Sequence, residues 1–355
     1  MPTTILTLLV ISIIIFLVAK IMRKEINAED VIAICVAIII TVASIPYDFE
    51  DDEGAPTISA NLQYDDYCIC NNVRDATGAV ELITLYDSQY VHAKSVGFGE
   101  VTYDDGVTEQ VCVSKAKLDV FMIAGQSNAE HSIYSISAVP HKADLGNCYY
   151  YGSANRVVSK NYISSSMSMM DMGLTNVCAN VDQPFAVSYN KNTGHKIFVI
   201  NTGIASTAIN TWTAGGSSYN YAKEVFSTAM DSINEEYYIP NVKGVVWIQG
   251  EADKDTTIGA YKSNFVNLYN ELTNGSFCLD PFDYCLISKV RDIDGGNAAI
   301  AQKQLAKEIN GVYLATDISD SFSIENGLIL GDNYHYSQNG DNYIGQALGI
   351  FASTL

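Results

Sequence analysis

The feature that most constrains this chain is an alternation that begins at Leu118. Five short apolar runs, at residues 118–124, 196–201, 243–248, 284–289 and 312–316, are separated by longer stretches with helical patterning. Runs this short and this uniformly apolar read as strands buried on both faces, the state of a strand inside a parallel sheet. The helical stretches cover 183–192, 219–237, 257–272 and 297–308, each ahead of the next strand. A last one starts at Gln338, with Ser337 placed to cap it. Strand and helix alternating over residues 118–355 predict a doubly wound, three-layer α/β/α sandwich. Ligands of such folds bind at the carboxyl ends of the strands, so the chemistry is sought there.

Three polar clusters follow those strands. The first strand runs into Gly125-Gln126-Ser127-Asn128. A serine just past a buried strand, at a sharp strand-to-helix turn, presents its hydroxyl near the positive end of a helix, where a nucleophile belongs. Most serines in such turns are only caps. The third strand runs into Gln249-Gly250-Glu251-Ala252-Asp253. A side-chain amide there can donate to a developing oxyanion, or the cluster can simply tie loops together. Glu251 and Asp253 can be read as an acid/base pair of the glycosidase kind, or as carboxylates that brace neighbouring loops and the Ser127 turn. Near the C-terminus stands Asp332-Asn333-Tyr334-His335. That spacing lets the carboxylate hold one ring nitrogen while the other takes a proton from serine.

Taken together and in order, these blocks resemble the SGNH hydrolase superfamily, and within it the sialate O-acetylesterase-like (SASA) branch of carbohydrate acetylesterases. The Gln-Gly-Glu block is the mark of that branch. The resemblance covers roughly residues 118–355. It implies a flavodoxin-like sandwich with a five-stranded parallel sheet. It also implies a serine esterase that removes O-acetyl groups from carbohydrates such as sialic acid or polysaccharide, with no metal or organic cofactor. Ser127 becomes the nucleophile, His335 the general base and Asp332 its orienter. The Ser127 backbone N–H and Gln249 become oxyanion donors. Gly125, Gln126, Asn128, Glu251 and Asp253 become supporting residues.

One block departs from the pattern. Where the family carries Gly-Gly-Thr-Ser-Ile-x-x-Trp, this chain has Ala205-Ser206-Thr207-Ala208-Ile209-Asn210-Thr211-Trp212. Glycine there permits positive φ or close approach of backbone to substrate. The Ser206 N–H remains available as a third oxyanion donor. Trp212 reads either as a sugar-stacking platform or as a buried packing residue. The substitution also supports an alternative function, a weakly active or inactive glycan-binding surface protein on an esterase scaffold, because fold does not fix function.

The first 47 residues read differently. Residues 5–22 form an apolar run of about the length that spans a bilayer. Residues 31–46 form a second, shorter one; Lys20 stands near the end of the first, and Arg23 and Lys24 lie between the two. The positive-inside rule puts that basic loop in the cytoplasm and everything after Tyr47 outside. A cleaved signal peptide fits less well, because a basic n-region is missing and a second apolar run follows. A monotopic or singly spanning anchor is the other alternative. Residues 48–117 read as an acidic linker and a small β-rich segment, with runs at 79–86, 91–98 and 110–113 and a turn at Asp104-Asp105-Gly106.

Net charge is −20, from 40 acidic and 20 basic side chains, which argues against a nucleic-acid partner. Eight cysteines form no paired C-x-x-C motifs, so a zinc site is not indicated. In an oxidising compartment Cys278 and Cys285, which bracket a short loop, are predicted to form a disulfide.

Overall fold

The computed structural model describes residues 58–130, 144–153, 156–157, 167–174 and 180–355. Seven strands come first: β1 (Asn61–Gln63), β2 (Tyr67–Cys70), β3 (Val73–Gly78), β4 (Val80–Leu85), β5 (Ser88–Ala93), β6 (Gly97–Tyr103) and β7 (Thr108–Ser114). They form two small sheets, ordered β1-β7-β6-β3 and β2-β5-β4. Alternate residues point inward, the period-2 pattern of a half-buried strand. Leu62, Val101, Val111 and Val113 of one sheet thereby share a core with Cys70, Val80 and Val91 of the other. The expected run at 91–98 does not form a single strand. It breaks between Ala93 and Gly97, where Ala79 turns the chain by accepting the Lys94 and Ser95 amides.

Only Lys115 separates β7 from β8 (Ala116–Gly125), the first strand of the main sheet. There follow β9 (Cys148–Ser153), β10 (Arg156–Val157), β11 (Ser168–Asp171), β12 (Lys196–Asn201), β13 (Tyr238–Ile248), β14 (Tyr284–Ser288) and β15 (Val312–Thr316). The order is β10-β9-β12-β8-β13-β14-β15, with β11 also on β9. The five expected strands are all present and mutually parallel, in the order 2-1-3-4-5. The sheet is larger than the five strands expected. β9 adds a sixth parallel strand beside β12, and β10 and β11 run antiparallel to β9.

The helices are α1 (Asp182–Thr193), α2 (Ser217–Asp231), α3 (Ile258–Thr273), the short α4 (Asp292–Gly295), α5 (Asn297–Glu308) and α6 (Gln338–Ala352). The sheet separates two cores. Phe226 of α2, Phe265 of α3 and Leu305 of α5 pack on one face. Phe185 of α1 and Leu348 of α6 pack on the other. This is the three-layer sandwich that the alternation predicted. The stretch expected to be helical to Tyr237 ends at Asp231. Tyr237 instead stacks on Tyr64 of the small β region, with ring centroids 4.3 Å apart.

The small β region grips the amino ends of the main strands through two adjacent carboxylates, Asp65 and Asp66. Asp65 accepts from Tyr149 OH of β9 at 2.6 Å and lies 2.9 Å from His92 Nε2. Lys196, at the start of β12, reaches the Asp65 carbonyl and the Asp66 carboxylate. His92 is also bound by Glu81 and stacked on Tyr67. Burial alone favours the neutral ring, but Asp65 and Glu81 outweigh it and hold His92 above the ordinary imidazole value.

Among the described residues no helix is long and apolar enough to cross a membrane, and the apolar runs at 5–22 and 31–46 lie outside the described residues. The predicted Cys278–Cys285 disulfide is not formed, and both are free thiols. Cys285 is locked inside β14 and faces the α2/α3 core, while the Cys278 thiol turns to the Asp280 carbonyl.

Candidate active site

The order β12-β8-β13 places β8 at the topological switch point, where helices leave the sheet in opposite directions and open a crevice. Ser127 sits just beyond the carboxyl end of β8. The turn is tight because Gly125 has φ of 141°, and a side-chain carbon there would meet the Ile248 carbonyl at 1.9 Å. Only glycine lets β8 run this close to the end of β13.

The His335 ring lies between Ser127 and Asp332. Its Nε2 is 3.0 Å from Ser127 Oγ, and its Nδ1 is 2.7 Å from Asp332 Oδ2. The other Asp332 oxygen accepts the Tyr334 and His335 backbone N–H groups at 2.9 and 3.0 Å. Burial pushes the Asp332 carboxyl up, but these donors together hold it below the usual carboxylate range. An ionised Asp332 favours the tautomer with its proton on Nδ1, which leaves Nε2 free to accept from serine. The structure thus joins the three residues in one relay, although Ser127 and His335 are 208 positions apart.

Asn128 ties the blocks together. Its Nδ2 donates to Glu251 Oε1 at 2.6 Å, and its Oδ1 accepts the Tyr336 N–H at 3.2 Å. Burial pushes the Glu251 carboxyl up, and hydrogen bonds from Asn128 and its own backbone offset part of that rise. Gln126 Oε1 accepts from the Ala252 N–H at 3.1 Å. Asp253 accepts from the Ile209 N–H at 2.7 Å and from Thr256 Oγ1 at 2.9 Å. Glu251 and Asp253 are both buried, so they brace loops and do not form a cleft-facing acid/base pair.

Gln249 departs from its expected role. Its amide is buried, and Nε2 donates to Asp253 Oδ2 at 2.5 Å and to the Thr207 carbonyl at 3.1 Å, with Gln126 Oε1 a more distant acceptor at 3.4 Å. Its Oε1 accepts from Tyr261 OH at 2.9 Å. An amide nitrogen has two protons, and both are engaged. Gln249 therefore joins the β13 end to the loop after β12 and is not an oxyanion donor in this arrangement.

In the substituted block a residue with a side chain holds a backbone conformation that favours glycine. Ser206 has φ of 59°, left-handed despite its side chain, and lies exposed at the crevice. The Ala205 N–H is taken by Glu130 Oε2 at 2.8 Å. Trp212 proves to be a packing residue. It is buried edge-to-face on Trp247 at 5.2 Å, and its Nε1 donates to Thr207 Oγ1.

Several site residues escaped the sequence reading. Asn201, at the end of β12, donates to the Ala129 carbonyl and to Asp182. Asn180 donates to the Glu130 carbonyl. Gln302 of α5 donates to the Gln249 carbonyl at 2.6 Å. Polar residues at strand ends were the available signal for Asn201. Gln302 had none, since it lies within a helix. Among the described residues no cluster of His, Cys, Asp and Glu could hold a metal ion.

Residues 117–350 match the family described as carbohydrate esterase, sialic acid-specific acetylesterase. Similar solved structures include a protein from Arabidopsis thaliana, 17% identical with a TM-score of 0.48, over 66% of this chain and 98% of that one. A carbohydrate acetylesterase from Xanthomonas citri is 16% identical with a TM-score of 0.42, over 82% and 72% of the two chains. NanS is 14% identical with a TM-score of 0.44, over 68% and 98%. No curated protein matches the chain by sequence.

Proposed function

The chain belongs to the carbohydrate esterase family of sialic acid-specific acetylesterases and is a carbohydrate O-acetylesterase; from that premise we propose that Ser127 carries the reaction through an acyl-enzyme. The observation that supports this most is the His335 ring between the Ser127 hydroxyl and the Asp332 carboxylate. His335 Nε2 takes the Ser127 proton as Oγ bonds to the acetyl carbonyl carbon. The tetrahedral intermediate collapses, the C–O bond to the sugar breaks, and the departing sugar oxygen receives that proton. Water then gives a proton to the same nitrogen and attacks the acetyl-serine. Acetate leaves and Ser127 is restored. The charge on the carbonyl oxygen falls to the Ser127 and Ser206 N–H groups, since the Gln249 amide is committed elsewhere. An acetylated sialic acid or polysaccharide is the substrate in this reading.

The same proposal places the esterase domain outside the cell, anchored through the apolar runs at 5–22 and 31–46. Protease added to intact cells then removes the domain. Survival until lysis would reverse the orientation.

Acetate release from acetylated sialic acids, xylans and other glycans, by wild type and Ser127→Ala in parallel, tests the chemistry. An active-site serine probe should label the wild type alone. Equal release by the two proteins would leave a glycan-binding protein on an esterase scaffold.

A further inference from the structure

The catalytic loop has little packing of its own to hold it. The Asp332 and His335 side chains are 47% and 41% exposed. Asn333, between them, has φ of 57°. Short local bonds shape the loop: the Leu330 N–H donates to the His335 carbonyl, and the Asn333 N–H to the Leu330 carbonyl. These fix its form, but they do not fix its distance from Ser127, which sits on another element.

Besides the Asn128 bond to the Tyr336 N–H, a side chain from just past the end of β14 reaches this loop. Arg291 follows β14 and is buried, at 2% exposure. Its Nη2 donates to the Asn333 carbonyl at 2.8 Å, its Nη1 to the Phe322 carbonyl at 3.3 Å, and its Nε to Asp294 Oδ2 at 2.5 Å. The neighbouring buried cation cannot stand in. Lys289 Nζ is committed to the Val290 carbonyl, Asp292 and Asp320. A planar guanidinium serves three acceptors in fixed directions, which a single ammonium on a flexible stem does not reproduce.

We propose that Arg291 is a positioning residue for ester hydrolysis: its guanidinium fixes the Asn333 carbonyl to the end of β14 and so sets the Asp332–His335 pair against Ser127. The proposal rests on the esterase reading of this site. Asp294 balances the buried charge, so the loop is held by a neutralised fork and not by a bare cation. A catalytic group misplaced by about 1 Å can cost on the order of 10²-fold in rate.

Arg291→Lys keeps the charge beside Asp294 and removes the reach to Asn333. It should melt cooperatively, close to wild type, with kcat lowered by about 10²-fold and KM within about twofold. Arg291→Ala should be equally slow and should recover part of its kcat on addition of ethylguanidinium. Amide hydrogen exchange gives a readout without substrate. Protection at Leu330, Asn333 and His335 should fall by at least about tenfold in Arg291→Lys, with the amides of β8 and β13 unchanged. Wild-type kcat together with wild-type exchange in Arg291→Lys overturns the proposal. So does a kcat loss that comes only with exchange raised throughout the sheet. If wild type shows no Ser127-dependent hydrolysis, the esterase reading falls, and the exchange data still decide whether Arg291 holds the loop.

Discussion

The molecule contains the same pair of side chains at opposite ends of its main sheet. At the carboxyl end, Asp332 binds His335 at 2.7 Å. At the amino end, Asp119 of β8 binds His195 Nδ1 at 2.8 Å. As isolated pairs the two are nearly identical. Their settings differ. Asp119 also accepts from Tyr189 OH and Asn241 Nδ2, so its charge is spread over a structural network that ties α1 to β13. Asp332 serves only its own loop, and the free nitrogen of its histidine points at a serine hydroxyl. An aspartate–histidine pair thus becomes catalytic through a third group and the end of the sheet on which it stands. A third such pair among the described residues, Asp65–His92, repeats the lesson, because the second nitrogen of His92 ends on Glu81.

The largest effect expected separates the two ends of the sheet. Ser127→Ala and His335→Ala should each lower kcat by at least about 10³-fold, with Asp332→Ala costing less, whereas His195→Ala should leave kcat within about twofold. A comparable loss in His195→Ala would break the comparison. Next comes Gln249→Ala, which strips Asp253, Thr207 and Tyr261 of a buried partner. Denaturant unfolding should show a loss of roughly 2–3 kcal/mol. A large fall in kcat at unchanged stability would return Gln249 to the oxyanion role.

Smaller effects sharpen the contrast. Ser206→Gly should gain about 1 kcal/mol, because a left-handed backbone costs a residue with a side chain roughly that much. Unaltered stability would mean that the loop around Ser206 relaxes to absorb the strain. His92 gives a pH signature. Its folded value is raised, so its contribution is fully present below the unfolded value near 6.5 and is lost as pH rises through the folded one. Asp65 is the opposite case. Burial pushes it up, its donors more than offset that, and its contribution is lost only as pH falls below 3.8, through the lowered folded value. His92→Gln should therefore flatten the alkaline limb of stability and leave kcat unmoved. The smallest expected effect is none: a reductant should not shift the melting temperature through Cys278 and Cys285.

What was legible in the sequence follows the same division. The parallel strands were readable because Val, Ile, Leu and Phe fill them on both faces. Strand β9, Cys148-Tyr-Tyr-Tyr-Gly-Ser, was not, since tyrosines take the buried positions on both of its faces and its other neighbours are antiparallel edge strands. Ser127, Asp332 and His335 were legible because each sits in a short block whose spacing carries its chemistry. The orientation of Gln249 was not, because Asp253, Tyr261 and Thr207 decide it from three other places in the chain. Arg291 looked like any arginine after a strand, and its role appears only when the loop from residue 330 onward folds back over it. Trp212 shows the converse: a motif residue whose position was foreseen and whose choice between stacking and packing required the core.

The last helix has a consequence for the order in which the protein assembles. Gly345 and Gly349 let α6 lie against α1 so closely that side-chain carbons there would meet the Val181 and Phe185 carbonyls at 2.7 and 2.6 Å. His335 stands just ahead of that helix, and the cap of the helix is Ser337. The base therefore reaches the nucleophile only once two helices distant in sequence have docked backbone to backbone. Long-range closure of this kind comes late, since its entropy must be met before its contacts form. A refolding chain should recover its sheet first and its hydrolytic activity last, so that turnover reports complete folding and not merely compactness.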